Sequence, residues 1–133
     1  MKVNRVIIHA DGASLGNPGP AAIGATIKDE RGRILASISQ GIGRATNNQA
    51  EYRAVIAALE RATKLGASWA DIYLDSELIV KQLNGQYRVR NLALKPLYHK
   101  LKQLQSRLEG FTITHIPRNE NSEAHNLAAL ALR

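Results

Sequence analysis

The sequence has no cysteine, which excludes disulfides, thiolate zinc sites and thiol catalysis. Aromatic residues make up only 5% of it, within an ordinary hydrophobic content of 44%. No apolar run approaches the roughly 18–20 residues that a membrane span needs. The first residues carry one early Lys and a short apolar run cut by His9 and Asp11, which is not the pattern of a secretory leader. A cytoplasmic protein without membrane association is therefore expected. Repeats, low-complexity tracts and interdomain linkers are also missing, so residues 1–133 read as one domain, long enough for its own core. Acidic residues are scarce relative to basic ones, 11 against 18, for a net charge of +7. That excess favours a polyanionic partner such as nucleic acid, the plainer reading being a soluble basic protein.

Periodicity gives the elements. Residues 3–10 form a buried strand that a Gly/Pro-rich turn ends. Residues 21–28 form a second strand, residues 29–33 a turn with Gly32 near its end, and alternation of Ile34, Ala36, Ile38 and Gln40 a third strand. From Asn47 the period becomes helical, with Ala50, Ala54, Ala57, Ala58, Ala62 and Leu65 on one side and Gly66 as the stop. Residues 70–75 form a fourth strand, and Ser76 caps a short helix that Gly85 ends. Leu94, Leu97, Leu101, Leu104 and Leu108 mark another helix, Phe111 to Ile116 a fifth strand, and Glu123 to Leu132 a closing helix. The fold class is α/β: a five-stranded mixed sheet, three antiparallel strands then two parallel, flanked by helices.

Three acidic residues stand out within this order. Asp11 and Asp75 each end an apolar strand, and Glu51 falls in the first turn of the long helix. A carboxylate at the edge of a buried strand costs free energy unless paired, and clustered carboxylates repel without a cation. Hard oxygen ligands select Mg²⁺ or Mn²⁺, and two such ions activate water and stabilise a leaving oxygen in phosphodiester hydrolysis. Taken singly, each acid is ordinarily a solvated turn or helix residue; the constellation is what points to chemistry.

Four blocks carry a resemblance. They are Asp11-Gly-Ala-Ser-Leu-Gly-Asn-Pro-Gly-Pro-Ala, Thr46-Asn-Asn-Gln-Ala-Glu51, Leu74-Asp-Ser-Glu-Leu78, and His115-Ile-Pro-Arg-Asn-Glu-Asn121 running into Ala124-His-Asn-Leu-Ala128. In order, and over nearly the whole chain, they resemble the signature blocks of the type 1 ribonuclease H family. The resemblance implies a monomeric endonuclease that hydrolyses the RNA strand of RNA–DNA hybrids with two divalent ions, Mg²⁺ or Mn²⁺, leaving 5′-phosphate and 3′-hydroxyl ends. Replication-primer removal is the role the family implies. By position, Asp11, Glu51 and Asp75 match three metal ligands, Asp11 bridging both ions and Glu51 lying also near the 2′-hydroxyl at the cut. Gly12, Asn17, Asn47, Asn48 and Ser76 match minor-groove contacts, a task that suits short polar groups reading the 2′-hydroxyl. Asn47 and Asn48 also suit helix capping. Arg44 and Thr46 match a pocket for a DNA-strand phosphate, and Tyr87 an aromatic against a DNA sugar. Arg88, Arg90, Lys95 and Lys100 extend the basic surface, a solvated face being the alternative for the lysines.

One departure matters. The family's usual fourth carboxylate stands in Asn-x-x-Ala-Asp-x-Leu-Ala, and this chain has His125 at that place. Imidazole suits softer metals than Mg²⁺ and removes a negative charge. Three readings follow: retained activity with His125, or its neighbour Asn126, completing the metal site; a weakly active or inactive hybrid-binding protein; or a deliberate replacement. Arg118 matches the position of a mobile residue assisting product or metal release, with His115 as the other candidate and a plain strand residue as the alternative for it. His9 reads as packing. A related nuclease such as a junction resolvase shares the carboxylates, but the minor-groove Asn set and the Arg44/Thr46 pair argue against it.

Overall fold

The computed structural model describes residues 4–133; the start of the expected first strand, at Val3, lies outside them. Five strands are observed: β1 (Arg5–Ser14), β2 (Gly19–Lys28), β3 (Ile34–Ala45), β4 (Trp69–Leu74) and β5 (Gly110–His115). Four helices accompany them: α1 (Asn47–Lys64), α2 (Glu77–Leu83), α3 (Lys95–Ser106) and α4 (Ser122–Ala131). The sheet order is β3-β2-β1-β4-β5. β1, β2 and β3 pair antiparallel, and β4 and β5 join in parallel. This is the mixed sheet expected from the sequence.

Alternation in β1 sorts the layers. Val6, Ile8 and Ala10 are fully buried and join the core that α1 completes with Val55, Leu59 and Ala62. Leu101 and Leu104 bring α3 into the same core. At about 25 cal/mol per Å² of apolar surface removed from water, burial of this aliphatic set is the main stabilising term. α4 covers the other face, where Ala124 and Ala128 are buried.

Several boundaries differ from expectation. β1 does not stop at the glycine-rich turn but runs through Gly12 to Ser14, because β2 still offers partners as far as Ala21. Asp11 therefore sits inside a paired strand, opposite Gly24, rather than at a strand end. β3 continues past Gln40 to Ala45, with an irregularity opposite Ala21 and Ala22 where Gly43 takes a φ of 77°. The long helix is capped by Thr46, whose side chain accepts from Gln49 while the Gln49 side chain accepts from Thr46. Asn47 and Asn48 are thus inside the helix, not caps, and Glu51 opens its second turn rather than lying in the first. Ser76 caps α2 as expected, accepting from the Ile79 amide at 3.4 Å.

Candidate active site

β1 and β4 pair in parallel only from Arg5 and Trp69 to His9 and Tyr73. The ladder stops there, and Asp11 and Asp75 each stand two residues past its last rung, at the gap it leaves. Glu51 reaches the same gap from α1. A ligand oxygen of each of the three carboxylates lies within 4.8 Å of the others. Gly12 makes this approach possible. A Cβ there would fall 2.2 Å from the Ala50 carbonyl carbon and 2.4 Å from the Glu51 amide nitrogen, so the helix backbone can sit against β1 only over glycine. The Gly12 amide donates to Glu51 Oε1 at 3.4 Å.

The three acids differ in environment. Asp11 and Glu51 are buried, and Asp75 is half-buried. Burial, then the charge of Asp11 beside it, pushes Glu51 well above the usual carboxylate range. Asp75 is raised for the same two reasons, with Arg118 opposing. Glu51 Oε2 is buried with no hydrogen-bond partner. An orphaned carboxylate oxygen facing two other carboxylates is the donor set of a hard divalent cation, so the residues present fit such an ion.

His125 stands beside this trio and not in it. Its Nδ1 is 3.1 Å from Asp11 Oδ2 and 3.4 Å from an Arg118 guanidinium nitrogen. One ring nitrogen cannot donate to the carboxylate while accepting from the guanidinium, so the two contacts belong to different tautomers. His125 and Arg118 line, with the three carboxylates, a cleft of about 390 Å³. Glu123, a neighbour of His125 in α4, turns away to pair with Lys28 at 2.7 Å.

Comparison with known proteins agrees with this geometry. Residues 9–131 match the family model described as reverse transcriptase-like. Ribonuclease HI of Halobacterium salinarum is 44% identical over 96% of the chain, and its crystal structure superposes with a TM-score of 0.94 over 97% of this chain and 98% of that one. The chain belongs to the type 1 ribonuclease H family. A bifunctional protein of Mycobacterium tuberculosis is 44% identical over 93% of the chain. An RNase H1 isolated from compost, solved in complex with an RNA/DNA hybrid, superposes with a TM-score of 0.91 at 40% identity, over 96% of each chain. The chain spans 34% of the mycobacterial protein and 64% of the halobacterial one.

The other positions expected from the sequence to take part fall around the cleft to different degrees. Gly12, Asn47 and Ser76 line it directly. Asn17 does not line the cleft itself; its Oδ1 accepts from the amide of Asn47, which does, at 3.1 Å. Asn48 is half-buried in the first turn of α1. Arg44 is exposed on β3, two residues before Thr46. Tyr87 lies apart, after α2, in a groove of about 570 Å³ shared with Arg88, Lys95 and Tyr98. Lys81 Nζ stands 5.0 Å from the Tyr87 ring centroid. His115 is an exposed residue at the end of β5 and does not line the carboxylate cleft. His9 stacks on Tyr73 with centroids 5.2 Å apart, as packing.

Sequence reading missed four participants. Ala13 and Ser14 line the cleft because β1 runs on past Asp11. Gln49 completes the helix cap, and the Thr-x-x-Gln spacing was the available signal. Asn121 was seen only as motif context; its Nδ2 donates to the Ala10 carbonyl at 2.9 Å.

Proposed function

We propose that this chain is an endonuclease hydrolysing the RNA strand of RNA–DNA hybrids. The observation that carries the reading is the convergence of Asp11, Glu51 and Asp75 in one cleft, with a buried oxygen of Glu51 left unpaired. These carboxylates would hold Mg²⁺ or Mn²⁺, Asp11 from the centre of the set. Ions held there would supply an activated water and stabilisation of a leaving 3′-oxygen, the chemistry that gives 5′-phosphate and 3′-hydroxyl ends. His125 beside Asp11 takes the place of the usual fourth carboxylate.

The surrounding groups supply recognition. Asn17, Asn47, Asn48, the Gly12 backbone and Ser76 present short donors and acceptors to a minor groove, where the 2′-hydroxyl separates RNA from DNA. Glu51, at the cleft floor, faces that hydroxyl at the cut. Thr46 Oγ1 already accepts from Gln49, so its hydroxyl proton is free to bond a DNA phosphate beside Arg44. Tyr87 and its basic neighbours take the DNA strand further along. Arg118, exposed at the cleft mouth, assists release of product. The protein acts as a monomer in the cytoplasm under this reading.

A hybrid labelled on either strand, incubated with the protein and Mg²⁺ or Mn²⁺, tests it. The RNA strand alone should be cut, chelation should stop the reaction, and Asp11→Asn should abolish cleavage while leaving hybrid binding largely intact. Binding without cleavage by either ion, with cleavage restored by His125→Asp, would establish the second reading, a hybrid-binding protein impaired by His125. The position of His125, next to Asp11 and outside the trio of mutually close ligand oxygens, is what keeps that reading in view.

A further inference from the structure

Two residues with no part in the chemistry above meet on either side of Asp11. Gly24 is the direct cross-strand partner of Asp11, so the two α-carbons project to the same face of the sheet. That face is the one α4 covers. A Cβ on Gly24 would lie 2.2 Å from the Ala124 carbonyl oxygen and 2.4 Å from the Ala128 amide nitrogen. Both atoms are helix backbone, so no rotamer change relieves the contact, and α4 would have to lift by about an ångström to reach ordinary van der Waals separation. Gly24 therefore sets how close α4 lies, one residue before His125.

Asn121 sets where α4 lies along the strand. It occupies the N-cap of α4, a position where Asn ordinarily accepts from the helix's own first amides. Its side chain makes no such bond. It is turned inward instead, 1% exposed, and donates to the carbonyl of Ala10, next to Asp11 and one residue past the last β1–β4 rung. The Asn121 carbonyl in turn accepts from the His125 amide at 3.1 Å. One residue thus bonds β1 beside Asp11 with its side chain and the His125 backbone with its main chain. Its Oδ1 is buried without a partner, so the amide is held there at a cost that a surface cap would not incur.

We propose that Gly24 and Asn121 are positioning residues that fix the height and register of α4 on β1 and β2, and so bring His125 Nδ1 to Asp11 Oδ2. Their bearing on turnover rests on the hydrolytic reading of the cleft given above; the placement itself does not. The test uses the metal-free, ¹⁵N-labelled protein at one pH, with the His125 ring nitrogens identified by their loss in His125→Ala and Asp11→Asn showing the signal when the carboxylate is gone. In Gly24→Ala and Asn121→Ala the His125 Nδ1 resonance should move toward its place in Asp11→Asn, while His99 and His115 stay unmoved. In turnover, kcat should fall on the order of 10- to 100-fold for each, as for other ångström-scale misplacements, with KM little changed. In a His125→Ala background the same substitutions should cost no more than about twofold further, since their effect passes through the missing ring.

An unmoved Nδ1 resonance in the folded variants overturns the proposal. So does a full loss of kcat that persists in the His125→Ala background, because a merely structural role gives that result. Should Gly24→Ala fail to fold, Asn121→Ala, which removes one hydrogen bond and introduces no clash, decides alone. A wild-type protein that cuts no hybrid defeats the hydrolytic reading, while the resonance measurement still decides the placement.

Discussion

Replacing Glu51 by Gln should make the metal-free protein more stable at neutral pH while removing the proposed hydrolysis. Ligand oxygens of Asp11, Glu51 and Asp75 stand within 4.8 Å of one another. At an effective dielectric of about 20, two ionised carboxylates at that separation repel by about 3.5 kcal/mol. Burial, and then the charge of Asp11, raise the folded-state pKa of Glu51 well above 4.5, so the fold disfavours its charged form. Glu51 costs nothing below pH 4.5, where it is protonated in both states. The cost grows as pH rises toward the folded-state value, because the unfolded chain gives up its proton and the fold does not. Over the interval from 4.5 to pH 7 the linkage can reach no more than about 3.4 kcal/mol. Gln keeps the oxygen that accepts from the Gly12 amide and carries no charge. Glu51→Gln should therefore be more stable than wild type at pH 7 in chelator, by less than that ceiling, and seen as a higher Tm. Thermal unfolding followed by circular dichroism, at pH 4 and pH 7, with chelator and with Mg²⁺, measures it. The gain should vanish at pH 4. Saturating Mg²⁺ should close or reverse it, since a ligand at a hundred times its Kd adds about 2.7 kcal/mol to the wild type alone. A Glu51→Gln protein no more stable than wild type at pH 7 in chelator, or a gap equal at both pH values, would refute the reasoning.

Other perturbations have equally definite outcomes. His125→Asp adds a fourth carboxylate beside Asp11 and should tighten Mg²⁺ binding by calorimetry while lowering metal-free Tm at pH 7. Asp71 accepts from Arg5 at 2.7 Å, from Thr112 at 2.6 Å and from the Trp69 indole at 3.0 Å. Burial pushes its pKa up, but these bonds outweigh it and hold the pKa below 3.8. Its contribution is therefore present above pH 3.8 and lost as pH falls through the lowered folded-state value, and Asp71→Ala should cost about 2–4 kcal/mol by urea unfolding at pH 7 and less as the pH is lowered past that point. Arg44→Ala should weaken hybrid binding alike for all sequences and lower the slope of log K against log salt by about 0.9.

The sequence made some of this legible and hid the rest for physical reasons. The α1 and α3 stripes were plain because apolar spacing at 3.6 residues has no other cause. The carboxylate trio was plain because each acid sits in a short block whose order along the chain is itself specific. The extent of β1 was hidden because glycine at 12 reads as a turn signal, whereas it serves close approach to α1 within a paired strand. β3 was cut short at Gln40 because Gly41 and Gly43 weaken local strand preference, and pairing with β2 overrides it. The surroundings of Gly24 and Asn121 were hidden, since a close backbone approach and a side-chain bond to a distant carbonyl leave no periodic trace.

The two ends of the β1–β4 seam are built differently, and that difference should govern how the molecule breathes. At one end Arg5, Trp69, Asp71 and Thr112 tie β1, β4 and β5 together, with the Arg5 guanidinium also 4.8 Å from the Trp69 ring centroid. At the other, past His9 and Tyr73, the ladder stops and like charges face each other. Local opening along this seam should therefore start at the carboxylate end and run toward the clasp. A divalent ion would act there as the rung the ladder lacks. Amide exchange at Ala10 to Ala13 should slow on metal binding far more than exchange at Val6 or Ala70, making the open end of that seam a gauge of occupancy.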